Sequence, residues 1–138
     1  MTLFECLFIQ ANLSVIIGHI PAGASWKQVV HYGQGYMNPD HFMQFNYYDK
    51  NRNYPQYNSS MPPEYDLKEI IAPVALFSSE DDWLSTVKDV NLLKTRLRNV
   101  VFHNEIPTKS FGHYDFMWGK SAINDVFEPV LQLLNHYR

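Results

Sequence analysis

The C-terminal half of this chain predicts an α/β fold in which parallel strands are joined by a crossover helix. Three features carry that expectation. "IIAPVALFSS" at 70–79 is a short apolar run centred on Val74 to Phe77, and "NVVFHNEI" at 99–106 is a second. Between them Val87, Val90, Leu93 and Leu97 recur at helical spacing. Strands connected through such a helix run parallel, and the crossover is almost always right-handed. The loops after their C-terminal ends then share one edge of the sheet, the edge where open α/β sheets bind ligands.

The elements follow in order. "MTLFECLFIQANLSVIIGHIPAG" reads as structural sequence. It has no positively charged start, and Glu5, Gln10 and Asn12 interrupt its apolar run, so no signal peptide is expected in this chain. No run of eighteen apolar residues is present either. A helix is expected over 25–36, capped by Ser25, with Val29, Val30 and Tyr36 on a broad apolar side. Pro39 and a Tyr/Asn-rich loop follow, ending at the stop signal "MPPEYD" at 61–66. The lone "GQG" at 33–35 has no strand before it and no further glycine, so it is no phosphate loop. After the first strand comes the acidic turn "SEDDW". Thr86 with Asp89 forms a capping-box pattern at the start of the crossover helix. The second strand leads into "PTKSFGH". Ser121 is expected to cap a last helix with Ile123, Phe127, Val130 and Leu134 on one side, and Pro129 to kink or delay it.

Composition excludes several classes. At 138 residues the chain is one ordinary domain's worth of sequence, 46% hydrophobic and 18% charged, so it is globular. Its formal net charge is −3, and its only basic cluster is "KTRLR" at 94–98, read as a solvated helix face. Nucleic acid is therefore not expected as a partner. The single Cys6 allows no internal disulfide and has no base near it in sequence, so it reads as a small buried hydrophobe. The six histidines, His19, His31, His41, His103, His113 and His136, show no ligand spacing, so neither a metal nor a cofactor is expected. Asn12-Leu-Ser14 and Asn58-Ser-Ser60 are glycosylation sequons.

The chemistry concentrates in two loops. The topology brings the carboxylates Glu80 to Asp82 to the same sheet edge as His113. A carboxylate that holds one imidazole nitrogen fixes the tautomer and supports general-base work at the other. Which of the three acids faces His113 is open at this point, as is the alternative that His113 is packed among aromatics.

Together "GHIPAGAS", "HYGQ", "SMPPEYDL", "APVALFSSEDDWLS", "KDVNLL", "NVVFHNEIP" and "GHYDFMWG" resemble, in order, the C-terminal part of the acid lipases. That family contains gastric, lysosomal and secreted insect members, and the likeness runs from about residue 12 to 137. The resemblance implies the C-terminal portion of an α/β-hydrolase, a carboxylic-ester hydrolase acting on lipid esters such as acylglycerols or steryl esters. It implies that residues 1–60 are the end of a cap region over the active site and 61–138 the last part of the hydrolase core. Asp82, before Trp83-Leu84, matches the family's catalytic acid. His113 matches the catalytic histidine of H-x-D-F-x-W, with Asp115, Phe116 and Trp118 in place. An extracellular or lysosomal location and at most peripheral contact with lipid surfaces are implied as well.

The chain departs from the pattern in places. The family's Gly-Gly before the acid is Ser78-Ser79 here, followed by Glu80 and Asp81, and an Asp-Pro after the acidic loop is Thr86-Val87. The loop to the histidine is longer, and Gly112 stands where Asn is common. No G-x-S-x-G occurs: "GAS" at 23–25 continues into Trp26 and Lys27. The nucleophilic serine would come from the remaining N-terminal part of the hydrolase. The alternative is a non-catalytic relative that binds lipid or a partner, its aromatic-rich first half offering an apolar surface.

Overall fold

The computed structural model describes residues 13–20 and 22–137. Cys6 and the Asn12 sequon lie outside the described residues. The chain divides into two compact units, Pro21–Glu69 and Met1–Ile20 with Ile70–Arg138. Among the described residues no helix is long and apolar enough to cross a membrane.

In the unit 21–69 helix α2 (Trp26–Met37) starts where expected; α1 (Leu13–His19) belongs to the other unit. Ser25 caps α2 in a full capping box. Its hydroxyl accepts from the Lys27 N–H, while Gln28 Oε1 accepts from the Ser25 N–H. The expected apolar side is not covered, since Val29, Val30 and Tyr36 are all exposed. The buried residue of α2 is instead Gln34. Its side-chain amide bonds the backbone of Asn46 in both directions, donating to the carbonyl at 2.6 Å and accepting from the N–H at 2.9 Å. The side chain thereby imitates a strand neighbour.

The segment expected as one loop contains a further helix, α3 (Lys50–Tyr57). Asp49 caps it by accepting from Asn51 N–H, and Asn58 ends it in the left-handed conformation at φ 53°. Local propensity does not call for this helix, which contains Pro55 and two asparagines. Asn53, 2% exposed, ties it down. Its Oδ1 accepts from Tyr47 N–H, and its amide donates to Asn46 Oδ1 and to the Ser60 carbonyl. Two extended segments meet in an antiparallel bridge at Met43 and Glu64, reinforced by His41 Nδ1–H donating to the Glu64 carboxylate. The aromatic residues split in role. His31, Phe45, Tyr47 and Tyr57 pack together half-buried, with Lys27 and Arg52 over the ring of Tyr47. Trp26, Tyr32, Tyr48 and Tyr54 are exposed.

The other unit follows the predicted order. Strand β1 (Val74–Ser78) pairs in parallel with β2 (Val100–Glu105), and α4 (Val87–Arg96) crosses between them, capped by Thr86 as expected. The register runs from Val74 opposite Val100 to Ser78 opposite Glu105, with one irregularity between Val74 and Ala75. Among the described residues both strands are half-buried rather than fully covered. The core of Ile106, Phe111 and Val126, with Phe77, Phe116 and Val130 against it, sits at the C-terminal end of the strands. Burying Phe111 completely contributes roughly 2–3 kcal/mol.

The last helix differs from expectation in cap and in phase. Ser121 does not cap it: the Ser121 hydroxyl is buried without a hydrogen-bond partner. The segment begins as a π turn (Ile123–Phe127) and becomes α6 (Glu128–His136) only afterwards, with Pro129 in its first turn. Proline has no N–H to give the carbonyl of Asp125, and the Asn104 amide donates to that carbonyl at 3.4 Å instead. The wider π turn shifts the buried stripe to Ala122, Val126 and Val130, leaving Ile123, Phe127 and Leu134 exposed.

Two outcomes follow from the 21–69 unit. Asn53→Asp replaces two donated bonds with a buried carboxylate facing acceptors and should cost about 2–4 kcal/mol, read by urea unfolding. Burial, with Tyr47 and Tyr65 nearby, raises the Tyr57 phenol above the ordinary tyrosine value. Its folded value exceeds its unfolded one, so the stability it contributes is complete below the unfolded value and is lost as pH rises through the raised one. Tyr57→Phe should remove that alkaline loss of stability from a pH-dependent melting series.

Candidate active site

The site sits where β1 and β2 end side by side. Parallel pairing carries the acidic loop out of Ser78 and the histidine loop out of Glu105, and the Ile106 N–H closes the ladder on the Ser78 carbonyl at 2.8 Å. The two loops therefore leave the sheet on the same edge.

Of the three acids, Asp82 faces the histidine. Its Oδ2 lies 3.0 Å from His113 Nδ1. The side chain of Asp82 is 5% exposed and that of His113 is 49% exposed. Asp82 Oδ1 accepts from the N–H groups of Leu84 and Ser85, each at 2.9 Å, which fixes the carboxylate before the ring arrives. A carboxylate only accepts, so Nδ1 carries the hydrogen, and in the neutral ring Nε2 then keeps the lone pair. That nitrogen, on a half-exposed ring, is free to take a proton. Glu80 is exposed, and Asp81 turns to the Ser110 N–H at 2.7 Å.

The histidine loop is held from both sides. Ser79 Oγ donates to the carbonyl of Phe111. Asp115, 2% exposed at the start of α5 (Asp115–Trp118), accepts from the Gly112 N–H at 2.8 Å. Further out, the Thr108 hydroxyl donates to Asp125 at 2.7 Å. Gly119 closes the motif because a Cβ there would lie 2.7 Å from the Asp115 carbonyl oxygen, a clash with backbone. The motif residues thus have separate tasks: Gly119 leaves room for Asp115, Asp115 holds Gly112, and His113 stands between. The sequence marks Asp115 only as part of the motif and points to no task for Ser79 or Asp81, which reach across to the histidine loop. Their partners are backbone groups of the other loop, and no side-chain pattern announces those.

A second histidine resembles a catalytic pair and is wired otherwise. His103 on β2 lies 2.9 Å through Nε2 from Ser78 Oγ, and Lys94 Nζ lies 3.3 Å from its Nδ1. Lysine only donates, so Nδ1 accepts and Nε2–H points at Ser78. His103 in this state cannot deprotonate that serine. Among the described residues no three His, Cys, Asp or Glu side chains are grouped to hold a metal ion. A hollow of about 370 Å³ opens beside the acidic loop between Glu80, Asp81, Glu105 and Lys109. It includes neither Asp82 nor His113, so the chemistry rests on the pair itself.

Fold and site together define an α/β protein with a carboxylate–imidazole pair at the C-terminal edge of a parallel sheet. No family model matches the chain. It is 36% identical to human lysosomal acid lipase/cholesteryl ester hydrolase over 138 residues, 96% of this chain and 34% of that protein. It is 33% identical to gastric triacylglycerol lipase of Rattus norvegicus over 134 residues, 94% and 33% of the two chains. With Lipase 3 of Drosophila melanogaster the identity is 38% over 117 residues, 85% and 29%. Over nearly its whole length the chain is thus similar to lysosomal, gastric and insect lipases, which supports its likeness to the C-terminal part of an acid lipase. It spans about a third of the length of these relatives.

Gly119→Ala should destabilise this unit by about 1–3 kcal/mol, since the new methyl meets backbone that cannot swing away. Denaturant unfolding reads this, and an unchanged midpoint would show that the turn has slack.

Proposed function

We propose that this chain contributes the acid, Asp82, and the general base, His113, of a Ser-Asp-His triad in a carboxylic-ester hydrolase acting on lipid esters. In this reading the segment up to about residue 60 is the end of a cap and residues 61–138 are the last part of an α/β-hydrolase core. The observation that carries it is the 3.0 Å contact between a buried, doubly anchored carboxylate and the Nδ1 of a half-exposed imidazole. His113 Nε2 takes the proton of a serine hydroxyl as it attacks the ester carbonyl and returns it to the leaving alcohol. Asp82 holds the tautomer and stabilises the imidazolium between those steps.

The serine and the oxyanion donors are not in this sequence, which has no G-x-S-x-G. They belong to the part of the protein that the relatives have and this third does not represent. Exposed Trp83, Leu84, Tyr114 and Met117 flank the pair in sequence and suit an apolar acyl or steryl substrate. The relatives, a lysosomal and a gastric lipase among them, support a lysosomal or extracellular setting.

In the protein carrying this chain, His113→Ala should lower kcat on a nitrophenyl ester about a thousandfold or more. Asp82→Asn should approach that loss, because an amide can donate to Nδ1 and select the wrong tautomer. Full activity in His113→Ala would refute the triad. Expressed by itself, the 138-residue chain should show no esterase activity above background and no labelling by a serine-directed fluorophosphonate. An active monomer that loses its activity on His113→Ala would overturn the need for an outside serine.

A further inference from the structure

We propose that Asp81 and Ser79 are positioning residues for His113: they clamp the backbone of the histidine loop to the acidic loop and so fix where the imidazole meets Asp82. The inference rests on reading Asp82 and His113 as acid and base of a triad.

The residues just before His113 are held one after another by side chains. Asp81 Oδ2 accepts from the Ser110 N–H at 2.7 Å, Ser79 Oγ donates to the Phe111 carbonyl, and Asp115 accepts from the Gly112 N–H at 2.8 Å. Between Pro107 and Gly112 the loop has no helix or strand to order it. Two of the three holds come from the loop that carries Asp82. Ser79 also accepts from the Asp81 N–H at 3.3 Å, and its carbonyl accepts from the Asp82 N–H at 3.3 Å, so the clamp and the catalytic acid form one piece. That piece grips the histidine loop twice: by the ring through Asp82, and by the backbone through Ser79 and Asp81.

The backbone grip has work to do. Ser110 sits at φ 59°, a left-handed conformation that serine adopts only when its surroundings hold it there, and the Asp81 bond lands on that residue. Ser79 is 1% exposed and Phe111 0%, so the second grip is dry and set in the core. The His113 ring, by contrast, is half exposed and rests on a single carboxylate bond. Releasing Ser110 would leave Ser79 and Asp115 to hold the backbone before His113, and the single Asp82 bond to hold the ring. A misplacement of about 1 Å at a catalytic base costs up to roughly a hundredfold in rate.

The test uses the whole ester-hydrolysing protein, labelled with ¹⁵N-histidine. Asp81→Ala should lower kcat about tenfold or more with KM within about twofold, and the His113 spectrum should change from one Nδ1–H tautomer to a mixture. Asp81→Asn keeps an acceptor oxygen and should recover most of the loss, which a general loss of stability would not allow. Ser79→Ala provides a second route should Asp81→Ala not fold, with the same split between kcat and KM expected. If Asp81→Ala and Ser79→Ala keep kcat within about twofold and one tautomer while His113→Ala is inactive, the clamp is wrong and the triad stands. If His113→Ala stays active, the triad reading falls and the clamp's catalytic role with it.

Discussion

The parallel pairing of β1 with β2 is the constraint on which the rest of the C-terminal unit depends. Because both strands point the same way, Ser78 and Glu105 end opposite one another and release their loops on one edge. An antiparallel pair would have sent them to opposite ends of the sheet. The crossover helix α4 makes the parallel arrangement reachable, and its Thr86 cap starts it close behind the acidic loop. The core at that end, Ile106, Phe111 and Val126, gives both loops something to stand on.

On that base the site is organised by hydrogen bonds that cross between the loops more than by bonds within them. Asp82 is anchored on its own loop through Leu84 and Ser85, then reaches His113. Ser79 and Asp81 reach backbone groups of the histidine loop, and Asp115 closes it from the far side. Three neighbouring acids thus avoid competing for one imidazole: Asp82 takes the ring, Asp81 takes a backbone donor, and Glu80 stays in solvent. His103 makes the complementary point, since a serine and a histidine at bonding distance are no reactive pair when Lys94 occupies the nitrogen that must hold the hydrogen.

The unit 21–69 uses polar side chains where a larger core would use apolar ones. Gln34 stands in for a strand and Asn53 joins three segments through one amide. Buried amides of this kind are expensive to leave unpaired, so the satisfied network specifies one arrangement. It is also hard to foresee, because no periodicity marks a glutamine for burial.

Local rules sufficed wherever an element's own residues decide it. The apolar runs at 74–78 and 100–105, the Ser25 and Thr86 caps, and the parallel order they imply were legible from sequence alone, as was the motif around His113. Helix α3 was not, because Pro55 and its asparagines argue against a helix that Asn53 secures through residues outside it. The last helix was misphased by one residue, since the π turn and the partner that Asn104 lends to Asp125 appear only once β2 lies alongside. Residue types and the strand–helix–strand order were enough to single out side chains suited to chemistry and to put two loops on one edge. That Asp82 meets His113 while Asp81 turns to a backbone N–H depends on the folded path of both loops. Side-chain identity is the same for Asp81 and Asp82, and what separates them is the direction each leaves a turn whose path the opposite loop's backbone sets.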